Sequence, residues 1–172
     1  MKYNRFEDLP VWKAAIDLAK RVYTMTADST FKGHFSLRDQ LERAAASVSS
    51  NIAEGFERGT TQELLTFLYI TRGSAGEVRS LLCLLELLPA FADLKSEISN
   101  LKSQAEGISR QLRAWAESLQ ESKIKGQRYL TEKARRSEKA VRDRQQFLEK
   151  LRRIREEGEA RSGARGEGKQ NS

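Results

Sequence analysis

Residues 60–89 read TTQELLTFLYITRGSAGEVRSLLCLLELLP. Leu64, Leu68, Thr71, Ala75, Val78, Leu82 and Leu85 recur at spacings alternating between four and three, the repeat of a helix that buries one seam along its whole length. Thr60 with Glu63 forms a capping box that opens this helix, and Pro89 closes it. Downstream, Leu94, Ile98, Leu101, Ala105, Ile108, Leu112, Trp115 and Leu119 repeat the pattern. Two such seams joined through Leu88, Pro89 and Ala90 predict an antiparallel helical hairpin.

On the N-terminal side of this hairpin, a first helix is expected to begin near Pro10 and to present Trp12, Ile16, Ala19 and Tyr23, with Ala15 and Val22 beside them. It fades by Asp28 and Ser29. A loop through Gly33 and His34 leads to Ser36, which is expected to cap a second helix with Asp39 in its first turn. That helix buries Leu37, Leu41, Ala45, Val48 and Ile52 and stops around Gly59. The fold class is therefore all-α: an antiparallel up-down four-helix bundle with a charged C-terminal helical extension and a disordered end. The expected division is 1–121 for the bundle, 122–157 for the extension and 158–172 for the tail.

Charge separates the bundle from the C-terminal extension and tail. Residues 1–121 carry 15 Lys and Arg against 16 Asp and Glu, a net −1, whereas residues 122–172 carry 16 against 8, a net +8. Any electrostatic affinity for polyanions should therefore reside in the extension. From Gln127 to Glu157 the pairs Glu132 with Arg136, Glu138 with Arg142 and Glu149 with Arg153 support a solvated helix, and its apolar positions, such as Leu130, Val141, Leu148 and Leu151, are sparse. Beyond Gly158 there is too little apolar surface to fold.

Several chemistries are excluded on composition. Cys83 is the sole cysteine and His34 the sole histidine, so neither an internal disulfide nor a Cys/His metal cluster fits within one chain. Cys83, inside the third helix, is expected to be an inert, buried or half-buried thiol. Gly163 to Lys169 imitates a phosphate-binding loop, but Gln170 stands where Ser or Thr is required and no strand precedes it. No catalytic residue, metal site or cofactor is expected, and the chain is read as non-enzymatic. The longest apolar run, Leu81 to Leu88, is interrupted by Glu86, so no membrane span is expected, and a cytoplasmic setting fits the cysteine usage.

Three features invite a functional reading. Small residues, Ala44 to Ser50 in the second helix and Gly73 to Gly76 in the third, predict close packing of these two helices, with a ligand groove as the alternative. Arg43, Asn51, Glu54, Ser74 and Glu77 would form a hydrogen-bonded network between helices or between subunits, next to Gly55. In the extension, Arg135, Lys139 and Arg142 lie along one helical face with Arg136 and Arg144 flanking it, a stripe able to follow a phosphate backbone; a solvated helix with no partner is the alternative. Arg72 with Arg79, and Lys95 with Lys102, offer a weaker basic surface on the bundle.

Four short segments occur together in a fixed order: Phe6 to Trp12 (FEDLPVW), Leu41 to Ala45 with Ser47, Asn51 to Gly55 (NIAEG), and Arg72 to Glu77 (RGSAGE). In this the chain resembles the four-helix-bundle proteins encoded in 23S ribosomal RNA intervening sequences, which are similar to the accessory variability determinant of diversity-generating retroelements. The resemblance covers roughly residues 6–119. It implies a homopentameric barrel of bundles without enzymatic activity and, for the retroelement branch, binding to a reverse transcriptase and to nucleic acid. The expected function is that of a homo-oligomeric RNA- or DNA-binding accessory protein. An adaptor whose extension docks on a protein partner is the competing reading.

Overall fold

Pro10 occupies the first turn of a helix, where its missing N–H costs nothing, and from there the chain runs α1 (Pro10–Thr26), α2 (Phe35–Glu57), α3 (Thr61–Leu87) and α4 (Lys95–Glu121). The computed structural model describes residues 3–121, 140–141 and 143–153. Among these there is no β-strand, and the all-α bundle read from the sequence is what the chain forms. The chain divides into two units, Met1–Arg128 and Tyr129–Ser172. The first holds α1 to α4; in the second, residues 140–141 and 143–153 are helical.

Within the first unit the helices pack in chain order around one core, α1 and α3 each lying between α2 and α4. The α3 seam is buried along its length as expected, from Leu64 to Leu85. Thr60 caps α3: its Oγ1 accepts the Glu63 N–H at 3.2 Å and donates to the Glu63 carboxylate at 2.7 Å. In α4, Ile98, Leu101, Ala105, Ile108, Leu112 and Ala116 are buried, with Trp115 and Leu119 packed at the edge of the core.

Four local expectations need correction. The buried stripe of α1 is Val11, Ala15, Leu18, Val22 and Met25, rotated from the expected one, so that Ile16 and Tyr23 are exposed. The helix α2 starts at Phe35, with His34 rather than Ser36 at its cap position and without Asp39 in its first turn. Gly33 at φ +92° turns the chain there, and the His34 N–H is held by the Phe31 carbonyl at 3.0 Å. The link between α3 and α4 is longer than the three residues expected: Pro89–Leu94 forms a 3-10 turn, Leu94 belongs to it, and Phe91 drops from it into the core. Finally, Cys83 is exposed.

The two loops at one end of the bundle meet through aromatic rings. Phe31, in the turn between α1 and α2, packs on Phe91 at 4.8 Å between centroids, and His34 packs on Phe91 at 5.2 Å. Both phenylalanines are fully enclosed.

The seam between α1 and α4 is polar at its rim. Arg21 donates from Nε and Nη2 to the two Glu97 carboxylate oxygens, each at 3.0 Å, and from Nη1 to Gln104 Oε1 at 2.8 Å. Gln104 in turn donates to the Ala14 carbonyl and to Asp17. Glu97 raises the guanidinium pKa by hydrogen bonding, which outweighs the opposing effect of burial. Because the pair is about one-third exposed, its geometry rather than its charge gives it value. Arg21→Ala is expected to lower unfolding stability by about 1 kcal/mol, near the top of the range for rim pairs. Arg21→Lys, which keeps the charge and loses the fork, should recover less than half of that in urea unfolding.

Candidate functional site

The small residues of α2 and the middle of α3 face each other, as the sequence reading expected, but the contact is made differently. Ser47 and Ser74 hydroxyls lie 3.0 Å apart across the helix pair, and the Asn51 side-chain amide donates to Ser47 at 2.8 Å. Ser74 also lies 3.4 Å from the Ile70 carbonyl. One consistent proton direction runs from the Asn51 amide through Ser47 and Ser74 to that carbonyl.

Of the residues expected in this network, Asn51 and Ser74 are in it, joined by Ser47. Arg43 is outside it: the residue is exposed and pairs with Asp39 one turn earlier at 3.2 Å. Glu54 turns outward to Arg58, and Glu77 is exposed on the outer side of α3. Their helical positions place these three beside the small-residue stripe in sequence but not across the α2–α3 contact in space.

Close approach of the two backbones occurs at Gly55. A Cβ there would sit 2.5 Å from Phe67 Cβ and 3.3 Å from Leu64 Cδ1. Gly73 and Gly76, expected to serve that role, are exposed, and an added Cβ at either meets nothing within 4 Å. The glycine run in α3 therefore looks away from α2.

Of the basic residues expected to form a surface on the bundle, Arg79 and Lys102 come together along the α3–α4 seam. Arg79 and Lys102 line a groove with Gly76, Ser80, Cys83 and Ser103. Lys102 Nζ is 2.6 Å from Glu86, and that hydrogen bond, with Cys83 alongside, raises its pKa above the ordinary lysine value. Arg79 lies 3.8 Å from Glu106, which also binds Arg110 at 3.1 Å. Arg72 lies beneath the Tyr69 ring, 5.9 Å from its centroid, with its Nε enclosed and without a hydrogen bond. The carboxylates cancel much of the positive field in this groove, in agreement with the net −1 of residues 1–121. Lys95, expected beside Lys102, is exposed at the start of α4.

In the second unit, Arg144 is exposed on the helix, as are Lys150, Arg152 and Arg153. Arg135, Arg136, Lys139 and Arg142 lie outside the described residues, as do Leu130 and the imitation phosphate loop from Gly163 to Lys169. Val141, Phe147, Leu148 and Leu151 are exposed on the same helix. Phe147 adds to the apolar positions singled out in the sequence, and its spacing of one turn from Leu151 would have found it.

Among the described residues, no three His, Cys, Asp or Glu side chains group in a way that would hold a metal ion, and no helix is long and apolar enough to cross a membrane. No curated protein matches the chain. A family model described as 23S rRNA-intervening sequence protein matches residues 7–114, a span that runs from the turn before α1 to within α4 and takes in all four of the segments that carry the resemblance, the first from its second residue. The chain belongs to the 23S rRNA-intervening sequence protein family.

Proposed function

We propose that this protein is a non-enzymatic, homo-oligomeric accessory protein that binds RNA or DNA through its basic extension while the bundle supplies the assembly. The observation that carries this reading is the division of charge: the whole positive excess lies after residue 121, beyond the span matched by the family. The exposure of Arg144, Lys150, Arg152 and Arg153 on a helix supports it, because phosphate contacts need side chains that reach solvent. The description of the family, 23S rRNA-intervening sequence protein, is consistent with an RNA partner. The resemblance to the retroelement accessory protein suggests the finer reading, in which a reverse transcriptase is the protein partner, and the lone cysteine fits a cytoplasmic setting.

Affinity from phosphate contacts falls steeply with salt. Binding of the full chain to a labelled RNA is expected to weaken as salt is raised, and a chain ending at residue 121 should lose most of that slope. Unchanged affinity and slope in the truncated protein would refute the assignment to the extension. The exposed Val141, Leu148 and Leu151 favour one other reading, an adaptor helix that docks on a protein. Serine at these three positions and at Leu130 separates the two, since it should leave RNA binding intact and abolish capture of a protein partner if the adaptor reading holds.

A further inference from the structure

The outer side of α3 carries a second seam that the core does not use. Ile70, Gly73, Glu77, Ser80, Leu84 and Leu87 follow spacings of three and four, all exposed, on the face opposite the buried run from Leu64 to Leu85. Glycine inside a helix costs about 1 kcal/mol relative to alanine, and at Gly73 nothing within the described chain requires its small size. On this outward seam Gly73 and Ser80, on either side of Glu77, are small, and Ile70, Leu84 and Leu87 are its apolar members.

The outer side of α1 offers the complementary pattern. Lys13, Ile16, Lys20 and Tyr23 follow the same spacing, and all are exposed. The rotation of the buried α1 stripe toward Val11, Ala15, Leu18 and Val22 is what places Ile16 and Tyr23 there. Together the apolar members of the two seams, Ile16, Tyr23, Ile70, Leu84 and Leu87, are between 41 % and 80 % exposed. The charges are opposite: Glu77 lies midway between Ile70 and Leu84, whereas Lys20 lies between Ile16 and Tyr23. Among the described residues none of Lys13, Lys20 and Glu77 forms an ion pair (the pairs that do form are those of Arg5, Arg21, Arg38, Arg43, Arg58, Arg79, Lys102, Arg110 and Arg113).

Since α1 and α3 sit diagonally across the bundle, one chain cannot bring its own two seams together. We infer that the α3 outer seam of one copy receives the α1 outer seam of the next, a head-to-tail interface between copies of this chain with Glu77 facing Lys13 and Lys20. The inference rests on the reading that the protein is homo-oligomeric and names the two surfaces that would meet. A face with glutamate at its centre is unsuited to meeting itself, which favours the heterologous contact over a symmetric one.

Sedimentation velocity of the full chain over a range of concentrations tests it. Wild type is expected to assemble, Glu77→Lys and the double change Lys13→Glu/Lys20→Glu are each expected to yield monomers at the same concentrations, and the three changes combined in one chain are expected to restore assembly. Leu84→Ser, which removes apolar area and no charge, should weaken assembly about tenfold in Kd. All of these positions are exposed, so helix content by circular dichroism should stay at the wild-type level. If wild type assembles and either charge reversal leaves assembly unchanged, or the triple variant stays monomeric, the interface is wrong while self-assembly stands. A wild type that is monomeric throughout removes both.

Discussion

Phe91→Ala is expected to lower the unfolding free energy by about 3–5 kcal/mol, among the largest effects of any single change in the bundle. Phe91 is fully enclosed although it belongs to the turn between α3 and α4, and it contacts both Phe31 and His34 from the turn between α1 and α2. Truncation would leave a cavity between two loops that nothing nearby can fill, because the backbone on one side is fixed by the Pro89 turn and on the other by the Asp28 cap, whose carboxylate accepts from Thr30 N at 2.8 Å. The two aromatic contacts would go with the ring, each adding about 0.5–1.5 kcal/mol beyond area. Chemical denaturation followed by circular dichroism measures the loss. Phe91→Leu, which refills most of the volume, should cost less than half as much, and an equal loss for both variants would show that ring stacking rather than filling is what matters.

Gly55→Ala should destabilise the bundle by up to about 2 kcal/mol, opposite in sign to the usual gain from replacing a helical glycine. Alanine's better propensity contributes about 1 kcal/mol in its favour. Against this, the new methyl would lie 2.5 Å from Phe67 Cβ, an atom fixed to the α3 backbone that no rotamer change can withdraw. The α2 and α3 backbones would have to separate, disturbing the Ser47–Ser74 contact a few turns away, and overpacking of this kind costs about 1–3 kcal/mol. A shift in the urea midpoint without change of slope is the expected readout. A midpoint that rises would mean that the helices part at little cost.

These two residues also mark where sequence reading runs out. The seams of α3 and α4 were legible because a strict repeat is bounded by a cap at Thr60 and a breaker at Pro89, so that pattern and punctuation agree. In α1 two stripes share one period. Trp12, Ile16, Ala19 and Tyr23 compete with Val11, Ala15, Leu18 and Val22, and periodicity cannot rank them; the aliphatic set is buried, while Ile16 and Tyr23 are exposed and Trp12 is half-buried. Phe91 was hidden because a hydrophobic residue in a link has no period to betray it. The glycines show a different limit: the same residue in the same kind of helix marks a close approach at Gly55 and open space at Gly73, and only the direction of the missing Cβ tells them apart. At the candidate site, Asn51 and Ser74 were found because buried polar groups need partners, whereas Arg43, Glu54 and Glu77 share the sequence neighbourhood and not the contact.

The clasp of Arg21, Glu97, Gln104 and Asp17 has a consequence for the handedness of the bundle. Four helices in up-down order can turn either way around their core, and apolar seams alone discriminate poorly between the two senses. Ala14, Asp17 and Arg21 lie on one flank of α1, so that flank faces α4. Turned the other way, α4 would meet the flank bearing Trp12 and Ala19, where Glu97 would find no guanidinium fork and Gln104 no carboxylate among those side chains. A modest rim pair, worth little as stabilisation, thus acts as the asymmetric mark by which one of two near-equivalent topologies is chosen.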